Sequence, residues 1–359
     1  MPARDQYGVL EKFGREILCL SLRSRQKWEG RAFDFWRQEG FPYPQIDESG
    51  IRSDFEALSR VRASEVIVRR EAQVNTIGLR LANAFHPHMW HIPRHGKSPV
   101  DSFDDDDTLR KAIRKACRFY PNRRCWNAQC IRSLIRFSHR SRVSNFRPSI
   151  ARAIYQRYSP EGGSLLDFSA GFGGRLLGAL SLPRHYLGID PAAKQVSGLR
   201  KMVQCLRHLA AGQGAVIQDA AEDVLPQLPR NSFDLVFSSP PYYRIEPYDR
   251  GNGQSWIRYR SYREWTEGFL ASVIVWGCML LRPGGYFLLN VKDTPEWPIA
   301  RDAKALFPRA FTSCPTLQYL LPTQPHCRAG SSDLYHREPI LVFRRPAMAG
   351  TAGRVKPRV

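Results

Sequence analysis

The 359-residue sequence predicts an α/β protein: a mostly parallel sheet with helices on both faces, preceded by a mainly helical region. Three observations predict it. From Ser159 onward, short apolar runs of strand character alternate with helical stretches, in the order SLLDFSA, HYLGID, AVIQDA, FDLVFSS, GYFLLNV, LQYLL and PILVFRR. The first run ends in a glycine-rich turn that opens a helix, a device that brings backbone close to a ligand. Residues 1–145, by contrast, are polar and irregular, helical where any spacing is regular, and without internal repeats.

In the N-terminal region, Asp104–Asp107 (DDDD) precedes TLRKAIRKACRFY, so the acids sit where the positive end of a helix dipole favours them. This structural role is preferred to a metal site. From Arg110 to Arg157 the chain carries 14 Lys or Arg and no Asp or Glu. A merely solvated surface would leave that repulsion uncompensated over 48 residues, whereas phosphates would neutralise it. Arg123, Arg124, Arg132 and Arg136 are the candidate nucleic-acid contacts. The net charge of +21 and a pI near 10 also point to a polyanionic partner.

A membrane is the weaker option: the longest apolar stretch, Phe269 to Leu281, has 13 residues, and the start MPARDQYGVL has no signal-peptide core. A cytoplasmic location is expected. Eight cysteines without a Cys-x-x-Cys pair predict reduced, mostly buried thiols. Neither Cys117, Cys125, Cys130 and His139 nor His86, His88, His91 and His95 has a recognised ligand spacing, so no metal is expected.

In LLDFSAGFGGRLLGAL, residues 165–180, Gly171, Gly173 and Gly174 allow a tight turn and a close backbone approach. The next strand ends in Asp190, at the distance where a ribose-binding acid follows such a turn. The turn reads G-F-G-G rather than G-x-G-x-x-G, and Asp167 ends the first strand where a pyrophosphate would lie. A carboxylate there repels phosphate and attracts an ammonium group, which suits S-adenosylmethionine better than a dinucleotide.

In these residues the chain resembles the class I S-adenosylmethionine-dependent methyltransferases. The resemblance implies a Rossmann-like sheet, mostly parallel with an antiparallel last strand, and cofactor contacts from Asp167, Ala170, Gly171, Gly173 and Asp190. It also places Asp219, in VIQDAAED, where the family has a polar residue at the adenine. Upstream, SNFRPSIARAIYQRY resembles the segment before the first strand in amino-methylating DNA methyltransferases. Its Phe146 and Pro148 match an F-x-P pair that lines the methionine end of the pocket, with core packing the alternative for Phe146.

Residues 237–243 read FSSPPYY. Methylating an exocyclic amine of a base is awkward because the lone pair is delocalised into the ring. Acceptors fixed on the two N–H bonds draw the nitrogen toward tetrahedral geometry while an aromatic ring stacks on the flipped base. Prolines hold φ, so the carbonyl direction is set in advance. Ser239-Pro240-Pro241-Tyr242 matches the [DNS]-P-P-[YFW] motif of the amino-methyltransferases. That match implies Ser239 and the Pro240 carbonyl as acceptors, Pro241 as part of the rigid turn and Tyr242 as the stacking ring, with Tyr243 beside the nucleic acid. Serine in the first position is commoner in cytosine-N4 than in adenine-N6 enzymes. Cytosine-C5 chemistry is disfavoured, since it needs a Pro-Cys pair that the sequence lacks.

After the motif, RIEPYDRGNGQSWIRYRS suits a loop closing on the substrate strand. Ser261 and Glu264 form a capping box for a helix running to about Leu281, which ends at RPGG before strand GYFLLNVKD. HREPILVFRR resembles the antiparallel hairpin end of the same methyltransferases. The expected organisation is a helical accessory region (1–143) for DNA binding or target recognition, a methyltransferase domain (144–345) and a disordered basic tail (346–359). Little chain is left between the motif blocks or after them for target recognition, so it falls to residues 1–143, the loop at 244–260 or a partner. GFPYPQIDESG together with SNFRP and DFSAGFGGRLLGA is similar to phage-associated DNA methyltransferases, with any restriction–modification partner left open. Alternative readings are methylation of RNA or protein glutamine, against which Ser239 counts, and a nucleic-acid-binding remnant without catalysis.

Overall fold

Among the described residues, nine strands join into one sheet: β1 (Ile67–Val68), β2 (Glu71–Ala72), β3 (Ser164–Asp167), β4 (His185–Ile189), β5 (Gln213–Ile217), β6 (Phe233–Ser238), β7 (Leu281–Asn290), β8 (Thr312–Pro322) and β9 (Tyr335–Arg344). The computed structural model describes residues 12–93, 96–122, 127–138, 144–245, 248, 250, 251, 253–322 and 335–347. Arg123, Arg124 and all but the first two residues of the expected disordered tail lie outside them.

The chain divides into two units, one of Met1–Gln45, Pro87–Val143 and Gln324–Leu334, the other of Ile46–His86, Ser144–Thr323 and Tyr335–Val359. The boundary thus groups Ile46–His86 with the sheet, where the sequence reading had them in the accessory region. In the first unit, helices Leu22–Glu39, Asp106–Phe119 and Ala128–Ser138 bury Trp28, Phe33, Trp36, Leu109, Ile113 and Ile131 in a common core. Asp105 caps the middle helix by accepting from the Thr108 N–H at 2.8 Å, and Asp106 and Asp107 lie in its first turn. The acidic run therefore has the capping role its position predicted.

In the second unit the sheet order is β5–β4–β3–β6–β7–β9–β8, with β2 and β1 extending the far edge. Strands β3 to β7 pair in parallel, while β9 runs antiparallel to β7 and β8. This is the mostly parallel, Rossmann-like sheet with an antiparallel last strand that the sequence predicted. Period-two alternation sorts the side chains: Leu165, Leu235, Phe237 and Leu288 enter one core with helices Pro148–Tyr158 and Gly174–Leu180. Leu166, Val236, Phe287 and Leu289 enter another with helix Ala271–Leu280. Because β3, β4, β5, β6 and β7 are parallel, the residues following them gather along one edge, where open α/β sheets bind ligands.

Two local features differ from expectation. The β1–β2 hairpin lies in a region read as helical, since two-residue strands are too short to alternate; β2 pairs with β8 and covers that edge. β7 starts at Leu281, so RPGG lies inside the strand, accompanied by a register shift between Phe233 and Leu235 on β6. The capping box is present: the Ser261 hydroxyl accepts from the Glu264 N–H at 3.1 Å, and Glu264 accepts from the Ser261 N–H at 3.2 Å. The helix it starts passes through a π-helical turn at Thr266–Leu270. No helix among the described residues is long and apolar enough to cross a membrane.

Candidate active site

β3 delivers Asp167 to the ligand edge and the chain then turns through two left-handed glycines, Gly171 (φ +59°) and Gly173 (φ +78°), into helix Gly174–Leu180. These glycines do different work. A Cβ on Gly173 would come within 2.9 Å of Met202 and Leu199, and one on Gly174 would overlap the Phe146 carbonyl. At Gly171 the nearest atom is 3.8 Å away, so the turn leaves open space for a ligand there. Asn145 clamps the turn from the preceding segment: its side chain accepts from the Gly174 N–H at 2.9 Å and donates to the Phe172 carbonyl at 2.7 Å.

Asp190 follows β4 and is 8% exposed. Its carboxylate accepts from the Gly171 N–H at 2.8 Å and the Ala192 N–H at 3.0 Å, tying the glycine turn to the end of β4. Burial raises its pKa to about 6; the two backbone donors oppose the shift and Asp167 adds to it. The expected pair of glycine turn and second-strand acid is therefore brought together. Ala170 is buried beside it, while Asp219 is exposed with a carboxylate oxygen 2.8 Å from the Ala220 N–H.

Asp167 is 1% exposed and already surrounded by donors. Arg175 meets it with two guanidinium nitrogens at 2.7 and 3.2 Å, and Tyr186, Ser238 and the Ser169 N–H complete the set at 2.7, 2.8 and 3.2 Å. Its charge is thus answered inside the protein, which corrects the expectation that it waits for a ligand ammonium. Arg175 was missed by the sequence reading. Its signal was an arginine in a helix whose other residues are all buried, where a charge needs a partner. Phe146 packs edge-on against Phe237 at 5.3 Å, has Tyr319 at 4.8 Å and lies in the core cluster, the packing role given as its alternative.

β6 ends at Ser238, and the Ser239 hydroxyl donates to the Asn290 carbonyl at the end of β7, 3.1 Å away. A hydroxyl has one proton to give, so Ser239 is left with acceptor lone pairs. Pro240 and Pro241 follow, and the turn closes with Tyr243 N–H to Pro241 carbonyl at 3.0 Å and Ile245 N–H to Tyr242 carbonyl at 2.9 Å. Tyr242 is buried, 9% exposed, and lies in the core cluster that also holds Tyr243 and Trp265.

Tyr243, expected beside nucleic acid, is a correction. It is 2% exposed and held among Tyr262, Trp265 and Trp297 with ring centroids at 6.0, 5.8 and 5.3 Å. Its backbone is left-handed (φ +44°), a costly conformation for an aromatic residue, and this packing holds the turn in place.

The described part of the following loop leans on the glycine turn and the ends of β4 and β5, whereas the sequence suggested closure on a substrate strand. Tyr248 packs edge-on against Phe172 at 5.8 Å, Gly253 lies against Pro191, and Arg258 pairs with Glu222 at 3.1 Å and Asp223 at 2.7 Å. These residues carried no sequence signal, because the contacts join segments far apart in the chain.

The basic run is mixed. On helix Asp106–Phe119, Arg110, Lys111, Arg114, Lys115 and Arg118 are exposed opposite buried Leu109, Ala112, Ile113, Ala116 and Cys117. Arg132 is different: its guanidinium donates to the Pro42 carbonyl at 2.5 Å and burial lowers its pKa to about 10, so it is a structural residue rather than the free phosphate contact expected. Arg147 and Arg152 are also buried on backbone carbonyls. The side chain of Arg136 lies outside the described residues, as do Arg123 and Arg124.

No family model matches this sequence, and no curated protein matches it. Among solved structures it is similar to an S-adenosylmethionine-dependent methyltransferase from Methanosarcina mazei, 14% identical, covering 54% of this chain and 97% of that one with TM-score 0.37. A putative rRNA methylase from Clostridium thermocellum is 12% identical over 58% of this chain and 100% of its own, with TM-score 0.36. A precorrin-6y C5,15-methyltransferase from Geobacter metallireducens is 14% identical over 56% and 87%, with TM-score 0.36.

Proposed function

We propose that this chain is an S-adenosylmethionine-dependent methyltransferase that modifies the exocyclic amine of a base flipped out of DNA, cytosine N4 ahead of adenine N6. The observation that carries the proposal is the Ser239 hydroxyl, whose proton is committed to the Asn290 carbonyl at the head of a rigid Pro-Pro turn. An acceptor fixed in this way holds one amine N–H, and the Pro240 carbonyl takes the other. The cofactor, when bound, supplies an electrophilic methyl group on a sulfonium.

The residues present suit that cofactor: the space at Gly171 admits a ligand, Asp190 offers its carboxylate to ribose hydroxyls, and Asp219 lies at the end of β5 for the adenine. Asp167 acts through Arg175 and Tyr186 to hold the turn. Ser239 and the Pro240 carbonyl would hold the amine as it takes the cofactor's methyl group, and the nitrogen's surplus proton would leave to water. The exposed basic face of helix Asp106–Phe119 supplies the phosphate footprint.

Purified protein incubated with methyl-labelled cofactor and either DNA or RNA, then digested to nucleosides, tests the reading. Label in N4-methylcytosine or N6-methyladenine is expected from DNA. Label in RNA alone would transfer the activity to that substrate, and cofactor binding without label in either would count for a non-catalytic remnant. Ser239→Ala should lower kcat roughly tenfold to a hundredfold, the value of about 1.5–3 kcal/mol of hydrogen bonding, with cofactor affinity unchanged.

Asp190 adds a pH prediction. Its folded pKa of about 6 exceeds the ordinary carboxylate value of about 4, so its contribution to stability is present below that value and lost as pH rises through 6. Cofactor binding runs the other way, because the ribose hydroxyls need the carboxylate. Calorimetry should show affinity falling by up to about tenfold per pH unit below pH 6. Asp190→Asn should bind weakly and flatten this dependence; a flat wild-type profile would remove the carboxylate from the cofactor site.

A further inference from the structure

Beside the Ser239–Tyr242 turn lies a charged group that no part of the proposed chemistry uses. Lys292, two residues beyond Asn290, ion-pairs with Glu338 and donates to His336 Nε2 at 2.8 Å. Its Nζ also stands 5.9 Å from the centroid of the Tyr242 ring, within the reach of a cation–π contact. The pair is mostly withdrawn from solvent, with side-chain exposures of 23% for Lys292 and 14% for Glu338, while His336 is half exposed. An ammonium has three N–H donors; Glu338 and His336 take two, so the nitrogen is fixed in place rather than swinging on a flexible stem. For His336 to accept at Nε2, its ring is neutral with the proton on Nδ1.

Lys292 lies beyond the last residue of β7, where the antiparallel register that pairs Asn290 with Ile340 brings it opposite Glu338, so the ion pair is a cross-strand pair; the contact with the Tyr242 ring is what the ladder does not account for. The end of β7 also supplies the Asn290 carbonyl that takes the Ser239 proton. One short segment therefore reaches both the acceptor and the aromatic ring of the candidate motif.

We propose that Lys292, fixed by Glu338 and His336, is a positioning residue that docks its ammonium on the Tyr242 ring and so sets the orientation of the ring against the flipped base. The proposal rests on the stacking role given to Tyr242 above. A neutral side chain at 292 removes the ammonium from the ring and leaves its orientation to the surrounding core packing, and an arginine restores the contact because a guanidinium also docks on aromatic faces.

Two measurements test it, one needing no substrate. In full-length protein labelled with 3-fluorotyrosine, the Tyr242 signal is assigned by its loss in Tyr242→Phe. Lys292→Met should shift that signal, and Lys292→Arg should return it most of the way. A signal that Lys292→Met leaves in place, or that Glu338→Gln and Lys292→Met both leave in place, would overturn the ring contact. In the methylation assay, Lys292→Met should lower kcat by on the order of three- to tenfold, with the cofactor Kd unchanged and Lys292→Arg recovering most of the rate. Equal rates for wild type and Lys292→Met would overturn the positioning role. A shifted Tyr242 signal in a protein that methylates no nucleic acid would keep the contact and overturn the proposed function alone.

Discussion

Arg175→Met is expected to lower folding stability by about 3–5 kcal/mol, because it leaves the Asp167 carboxylate buried without its counter-charge. Arg175 and Asp167 have side-chain exposures of 6% and 1%, so water cannot take the place of the lost guanidinium. Burial disfavours charge on Arg175, but the adjacent carboxylate more than reverses this and its pKa is raised. Urea unfolding should show the midpoint moving down with the slope unchanged. The double variant Asp167→Asn/Arg175→Met is expected to recover part of the loss, since no uncompensated charge then remains. A single variant as stable as the wild type would show that the pair contributes little to holding the glycine turn.

Gly174→Ala should be nearly as damaging, at about 3 kcal/mol or more. The added methyl group meets the Phe146 carbonyl oxygen and carbon and lies 2.6 Å from the Asn145 side-chain oxygen. Since the obstacle is backbone, no side-chain rotation relieves it. The displaced segment carries Asn145, whose two hydrogen bonds hold the turn, so cofactor affinity should fall together with stability. Gly171→Ala makes the contrast: its Cβ would meet nothing closer than 3.8 Å, and the cost there is the left-handed backbone, about 1–2 kcal/mol. Thermal and urea unfolding of the two variants, with calorimetric titration of the cofactor, separates the cases. Equal losses at both positions would mean that backbone conformation, not the Phe146 contact, dominates.

Strands β3 to β6 were legible because each is a run of apolar residues ending near an Asp or a Ser-Pro boundary, and the order of these boundaries carries the parallel part of the topology. Asp190 and the glycine turn were legible for the same reason: they are strand ends. The environment of Asp167 was not, since Arg175, Tyr186 and Ser238 lie 8, 19 and 71 residues away and a motif says nothing of who answers a charge. Tyr243 failed differently. Its neighbour Tyr242 keeps a little exposed surface, but the turn rotates Tyr243 into an aromatic cluster, and consecutive residues in a left-handed turn cannot be assigned to faces by alternation. Arg132 shows the limit of reading charge: its long side chain sits on a helix whose neighbours Ile131 and Ile135 are core, and its head is drawn inward to the Pro42 carbonyl.

The grouping of Ile46–His86 with the sheet makes the second unit discontinuous along the chain. A cut before Ser144, natural from the sequence alone, would strip Arg152 of its acceptors Ser59 and Val61 and take away the strand β2 that covers β8. During synthesis, residues 46–86 emerge well before the strands they pack with and must wait for them, so the unit completes only when β9 has left the ribosome. Expression trials should therefore keep Ile46–His86 joined to everything from Ser144 onward, and replace the intervening Pro87–Val143 by a linker if the smaller unit is to be removed.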